Sequence, residues 1–246
     1  MSRIGGKSLS ASRVFWLAAL VLSVLVISPF SRAAEAVDAE IMLLVDVSRS
    51  VDAKEYLLQR DGYADAFRDS ALFDAYIAKG RHRRIAVTLM YWSSPDLRRV
   101  AVPWMLIDSR AAAQGFAEAI IKGSAASDGK GLAARPFDGT TAPGSALAFG
   151  FPLFFDNAFE GTRKVMIVSG DGPENAGIPT PKARDEALAA GIDTINTLAI
   201  GSETLKAWYV KNIQAGKDAF TVGTKDVPDL PAAIRHVLQR TLSPDR

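Results

Sequence analysis

The stretch Asp46-Val47-Ser48-Arg49-Ser50 sets one carboxylate and two hydroxyls at alternate positions. All three offer oxygen, the donor that hard cations such as magnesium take. Two later clusters offer the same chemistry. Thr141 stands before Ala142-Pro143-Gly144, and Asp171 stands between Gly170 and Gly172. Brought together, the carboxylates of Asp46 and Asp171 and the hydroxyls of Ser48, Ser50 and Thr141 would fit an octahedral magnesium with one open position. Singly, each has a plainer reading. Asp46 is a strand-end turn former, Ser48 and Ser50 are capping hydroxyls, and Asp171 is a tight-turn residue.

The elements that must position these groups can be read from the pattern around them. Ile41 to Val45 is a short apolar run, β-branched at both ends and bounded by polar residues. It reads as a strand buried on both faces. Asp52 with Glu55 three residues on resembles a capping box, so Asp52 is expected to cap a helix over about 52–70 rather than bind metal. Tyr56, Arg60, Tyr63 and Phe67 give that helix its stripe. Strands are predicted over Ile85–Trp92 and Arg99–Leu106, hairpin-paired, and Pro103 makes the second an edge strand. A helix opens near Asp108-Ser109, and the Gly/Ala/Ser-rich stretch Gly123 to Gly139 has no period. Pro143 suits the first turn of a third helix whose apolar face is Leu147, Phe151, Phe154 and Phe155, with Pro152 ending or kinking it. Lys164–Ser169 and Thr194–Ile200 are further buried strands, Ala219–Val222 a last short one. Helices are expected over Pro181–Ala190, around Leu205–Asn212 and over Leu230–Thr241. Alternating strands and helices give an α/β domain with a central, mostly parallel sheet. In such a sheet Asp46, Thr141 and Asp171 share one edge, beyond the carboxyl ends of the strands.

Composition bounds the function. The 246 residues hold no cysteine, which excludes disulfides, thiolate metal sites, a cysteine nucleophile and a lipoprotein anchor. Of 29 basic and 27 acidic residues, four basic and no acidic ones lie in residues 1–34, so the remainder carries 25 against 27, about −2. The basic excess belongs to the leader and gives no reason to expect nucleic-acid binding. The basic connector Lys79–Arg84 is accordingly read as a loop at one pole. Residues 1–36 have the form of a signal peptide: Arg3, Lys7 and Arg13, then apolar Val14–Ile27, then small residues around Ala33-Ala34. Val14 to Phe30 is 17 residues long and contains Ser23, Ser28 and Pro29, marginal for the alternative of an uncleaved anchor. The expected products are an exported domain over 37–246, periplasmic or secreted, or a membrane-anchored one.

The three motifs together resemble the von Willebrand factor type A domain and its metal-ion-dependent adhesion site. Asp46-Val-Ser48-Arg-Ser50 matches its Asp-x-Ser-x-Ser. Thr141-Ala-Pro-Gly144-Ser-Ala-Leu147 matches a threonine three residues before a helix-opening glycine, which picks Thr141 over Thr140. Ser169-Gly170-Asp171-Gly172 matches the third motif. Within that group the chain is similar to an exported bacterial branch, domain of unknown function 1194, through Arg60-Asp61-Gly62-Tyr63, Trp92-Ser93 and Ser169–Gly177. The resemblance implies a three-layer α/β/α sandwich with its third strand antiparallel at the edge. It implies metal contact through Ser48, Ser50 and Thr141, with Asp46 and Asp171 holding the ion through water. The ion would be Mg2+, with Mn2+ or Ca2+ as alternatives, and the sixth position would take a carboxylate from a partner protein. Position 49, commonly glycine in the family, is arginine. Beside a dication a guanidinium is repulsive unless it points outward or pairs with an acid; outward, it could meet a partner's carboxylate.

Two other readings compete with a non-enzymatic binding module. A magnesium-dependent phosphohydrolase would use Asp46 as nucleophile, but it needs a second aspartate two residues on, and Ser48 stands there. A scaffold with a vestigial site is favoured if Arg49 fills the metal position. Gly170-Asp-Gly172 is no dinucleotide loop, because its third glycine position is Asn175 and Asp171 would repel phosphate. Glu174 and Asn175 could support the ligands from outside the cluster, but they read as surface-loop residues.

Overall fold

The computed structural model describes residues 33–124 and 139–243. Residues 1–32 of the leader, and all but the ends of the Gly123–Gly139 stretch, lie outside these described residues, whereas Glu35 and Ala36 pair with Phe159 and Glu160 in the first strand. The chain opens with β1 (Glu35–Val37) and β2 (Glu40–Asp46), followed by α1 (Ala53–Arg68) and α2 (Ser70–Ala75). The hairpin β3 (Ile85–Trp92) and β4 (Arg98–Ile107) leads to α3 (Arg110–Gly123). After α4 (Pro143–Gly150) come β5 (Phe159–Gly161), β6 (Lys164–Gly170), α5 (Thr180–Ala190) and β7 (Thr194–Ile200). The end is α6 (Glu203–Asn212), β8 (Ala215–Gly216), β9 (Thr221–Thr224) and α7 (Leu230–Leu242).

One sheet runs β4-β3-β2-β6-β7-β8, with β9 also paired to β7. β2 lies parallel between β3 and β6. β4 is antiparallel at the edge, as expected, and β8 is antiparallel to the start of β7. A separate two-stranded parallel sheet joins β1 to β5. The sequence pattern did not announce β1, β5 or β8, each being three residues or fewer.

β2 shows how the layers are built. Side chains alternate across a strand. Ile41, Leu43 and Val45 face a core shared with α1, α3 and α7, while Met42 and Leu44 face one containing Leu147 of α4, Ala183 of α5 and Tyr209 of α6. Helices thus cover both faces, giving an α/β/α sandwich, and every residue of β2 is buried. Burying one such aliphatic side chain contributes roughly 1.5–3 kcal/mol. That is why a parallel strand reads as a continuous apolar run.

Local corrections follow from helix geometry. On α1 the inward residue of the second turn is Gln59, while Arg60 pairs with Asp61. Phe154 is buried but Phe155 is 54% exposed. The α-helix stops at Gly150 and passes into a 3-10 turn, Phe151–Phe154. Three residues per turn instead of 3.6 rotates the expected face away. On β4 the register slips opposite Val87–Met90, and exposed Pro103 lies in that irregular stretch.

Candidate functional site

Asp46 is the last residue of β2 and is fully buried. Its Oδ1 accepts a hydrogen bond from Ser48 N at 2.7 Å, folding the chain back at the strand end. The loop beyond is tied down on both sides: Val47 N donates to Trp92 O at 2.9 Å and Arg49 N donates to Gly139 O at 2.9 Å. Asp52 then caps α1, its carboxylate accepting from Glu55 N at 2.8 Å. The cap reading of Asp52 is therefore the one observed.

Thr141 stands two residues ahead of Pro143, which opens α4. Gly144 in the first turn is set by crowding, since a Cβ there would lie 2.1 Å from Ile178 O. Asp171 follows β6 directly. At Gly170 a Cβ would lie 2.5 Å from the Tyr209 hydroxyl and 2.7 Å from Asp46 Oδ2. Only glycine lets the ends of β2 and β6 draw this close.

The five predicted side chains meet. Thr141 Oγ1 donates to Ser48 Oγ at 3.2 Å, Ser48 and Ser50 share a hydroxyl–hydroxyl bond of 3.2 Å, and Ser50 Oγ donates to Asp171 Oδ1 at 2.6 Å. Asp46 joins the chain through Ser48 N. Asp46, Ser48 and Thr141 are buried, whereas Ser50 is exposed and Asp171 partly so. The cluster thus has a closed floor and an open side. Arg49 is exposed at its rim.

The floor is only partly compensated, by the N–H and hydroxyl of Ser48 and the backbone of Asp171. Asp46 Oδ2 is buried with no hydrogen-bond partner. An unpaired buried carboxylate oxygen is costly, and buried polar atoms are almost always satisfied. Burial pushes the Asp46 carboxyl up to about 7, the Ser48 N–H opposes this, and the negative charge of Asp171 adds to it. Below lies a third acid that the sequence pattern disguised as half of a capping box. Glu55 is buried and pushed up to about 8, first by burial and then by Asp171, Asp46 and Asp52. It accepts from Gln59 Nε2 at 3.4 Å, and Gln59 accepts from Ser169 Oγ at 3.5 Å. Tyr209, also buried, directs its hydroxyl at Gly172 O at 3.4 Å.

Asn175 and Glu174 do lie on a surface loop, but both hold the site. Asn175 Oδ1 accepts from Thr141 N at 2.8 Å. Glu174 accepts from both N and Oγ1 of Thr180 and so anchors the start of α5.

The donor set tests well against a cation. It is all oxygen, with two carboxylates and three neutral hydroxyls, and one carboxylate oxygen makes no hydrogen bond. That favours a hard divalent ion over a soft one. Among the described residues no group of three or more His, Cys, Asp or Glu side chains is placed to hold a metal.

The fold, with this cluster beyond the carboxyl ends of its strands, is that of a von Willebrand factor type A domain. The chain belongs to the family described as Protein of unknown function (DUF1194), whose model matches residues 36–245. No curated protein matches it. Among solved structures it is similar to proximal thread matrix protein 1 from the mussel byssus, at 19% identity and a TM-score of 0.56, over 84% of this chain and 49% of that one. The chain therefore spans about half the length of the mussel protein. Another structure of that protein, described as having a zinc occupied MIDAS motif, gives 19% identity and a TM-score of 0.56 over 83% of this chain and 48% of that one. The SpRpn10 VWA domain is similar at 13% identity and a TM-score of 0.55, over 86% of this chain and 97% of that one.

Proposed function

We propose that this chain is an exported, non-enzymatic von Willebrand A domain whose metal-ion-dependent adhesion site binds a partner protein through a carboxylate. Residues 1–36 are its signal peptide, or its anchor where the leader is kept, and residues 37–246 are the binding domain. Asp46, Ser48, Ser50, Thr141 and Asp171 form the ligand set, for Mg2+ ahead of Mn2+ or Ca2+. The observation that carries this reading is Asp46 Oδ2, buried and without a hydrogen bond at the floor of a cluster of five oxygen-bearing side chains.

A bound divalent cation supplies a Lewis-acidic coordination position for an incoming carboxylate. The chain's own residues make that position useful. Ser48, Ser50 and Thr141 are neutral donors, so they leave more of a cation's charge for the partner than carboxylates would. Ser48 N fixes the orientation of Asp46, and Asn175 fixes that of Thr141. Exposed Ser50 and Asp171 keep the approach open. Ser48, hydrogen-bonded with Ser50 and Thr141, occupies the place of a phosphohydrolase's second aspartate, so binding is favoured over phosphoryl chemistry. The zinc-occupied motif of the mussel protein supports a divalent ion in this fold generally. Among the described residues no helix is long and apolar enough to cross a membrane.

The test is thermal. Mg2+ or Mn2+ at about a hundredfold over Kd should stabilise the protein by about 2.7 kcal/mol, a rise in Tm of roughly 5–10 °C for a domain of this size. Asp46→Ala should abolish the rise. An unchanged wild-type Tm at millimolar metal overturns the metal assignment. Crosslinking with and without chelator then asks whether partner capture depends on the ion.

A further inference from the structure

The parallel strands give the domain a second pole, at their amino ends, opposite the cluster of Asp46. A cavity of about 330 Å³ opens there. Its position follows from the residues that border it: Ala39 precedes β2, Ile85 begins β3, and Arg163 precedes β6. The volume falls at the low end of the roughly 300–1,000 Å³ typical of small-molecule sites. The inner wall is apolar, made by Ala39, Ile77, Ile85 and Leu242, each at most 6% exposed. Three cations, Lys79, Arg81 and Arg163, stand around it.

The one acid among the lining residues, Asp38, is hydrogen-bonded to the connector, and its charge also acts on Arg163. Asp38 Oδ1 accepts from His82 N at 2.8 Å and Oδ2 from Arg84 N at 3.4 Å, and Asp38 N donates to Arg84 O at 2.9 Å. The connector is wrapped so closely that a Cβ on Gly80 would lie 2.1 Å from Asp38 Oδ2. Arg83 adopts φ of 56°, a left-handed conformation uncommon for a side-chain-bearing residue. The turn that carries Arg81 is thus held in one shape by Asp38. Arg163 is half-buried and donates through Nη2 to Thr241 O at 3.1 Å, near the end of α7. Burial lowers its pKa, against the raising effect of Asp193, Asp38 and Asp218. Among the described residues none of the three cations is in an ion pair.

We propose that this cavity is a binding site for a phosphate group carried on an apolar moiety, held by Lys79, Arg81 and Arg163 against the wall of Ile77, Ile85 and Leu242. A single guanidinium fork saturates a carboxylate, whereas three cations at one mouth match the several free oxygens of a phosphate. The apolar wall selects an amphiphile over a bare ion. Such a group has two sources, a soluble phosphate ester and a phospholipid headgroup, the second being at hand where the leader is retained in a membrane. Neither source requires the metal cluster to be filled.

The test uses the protein as expressed, in chelator so that the metal cluster is silent. One arm measures Tm in inorganic phosphate against chloride at matched ionic strength. At about tenfold over Kd the rise should be about 3–6 °C. The other arm measures sedimentation with phosphatidylglycerol–phosphatidylcholine vesicles against phosphatidylcholine alone. Both are repeated on Lys79→Gln/Arg81→Gln, a pair of exposed side chains whose loss spares the fold, and on Arg163→Gln. A phosphate-specific rise lost in the double variant supports the site and a soluble ester. A preference for anionic vesicles lost in that variant, without a phosphate response, supports the site and a headgroup. No anion response in either arm, or one unchanged in the double variant, overturns the proposal. Retention of the Mg2+ response in the double variant separates its outcome from that of the adhesion site.

Discussion

Thr141 and Asn175 clasp each other through a reciprocal pair of hydrogen bonds: Thr141 N donates to Asn175 Oδ1 at 2.8 Å, and Asn175 N donates to Thr141 O at 3.0 Å. They are 34 positions apart in the chain. The clasp ties the residue before α4 to the loop after Asp171, and so sets two of the candidate ligands relative to one another. Asn175→Ala removes the acceptor. Residues that orient metal ligands typically cost about 10–100-fold in affinity when lost. We expect a loss of Mg2+ affinity in that range by calorimetry, with the fold retained. Unaltered affinity would show that Thr141 needs no such support.

Asp46 and Glu55 make the metal-free protein sensitive to pH in a defined direction. Both carboxyls are raised in the fold, to about 7 and about 8. The folded state therefore binds more protons than the unfolded chain between about pH 4 and 8, and stability falls as pH rises through that window. For Asp46 alone the ceiling is about 4 kcal/mol, since each tenfold change in proton affinity is worth about 1.4 kcal/mol. In chelator, Tm should decline from pH 5 to pH 8. In saturating Mg2+ the decline should flatten or reverse, because the bound ion needs the ionised carboxylate. Parallel Tm profiles with and without metal would contradict this.

Asp46→Asn separates folding from binding. The amide keeps an oxygen for Ser48 N but removes the buried charge. Without metal at pH 8 the variant should melt above the wild type, by up to a few degrees, and its response to Mg2+ should vanish. A variant that melts lower and still responds to metal would place the ion elsewhere.

Gly144→Ala tests the packing that holds α4 in place. The new methyl would meet Ile178 O at 2.1 Å and backbone atoms of Thr180 at 3.0 Å. Backbone yields less readily than a side-chain tip, so a loss of about 1–3 kcal/mol is expected in urea unfolding. A neutral result would mean that the entry to α5 can shift.

Much of this architecture could be read from the residues alone. β2 was legible because both faces are buried, which leaves Ile41–Val45 apolar without interruption. β3 and β7 were legible at their observed bounds, Ile85–Trp92 and Thr194–Ile200, for the same reason. Asp46, Ser48, Ser50, Thr141 and Asp171 could be named because three motifs each sit at the end of a recognisable element. Glu55 could not. Asp-x-x-Glu at a helix start signals an outward capping pair, and nothing local says that the glutamate turns inward. Asn175 could be named as a supporting group but read more readily as surface loop, because its partner is 34 positions away and its loop is rich in turn-forming residues. The β1–β5 pair escaped because three-residue strands carry no period.

The outer edge of β4 has a consequence beyond the site. An open ten-residue edge strand invites a neighbour's strand to pair with it and the sheet to grow from molecule to molecule. Pro103 offers no N–H, and it lies where the ladder is already out of step. A second chain laid along this edge would find no unbroken row of partners. Pro103 thus works against growth of the sheet from one molecule to the next along this edge.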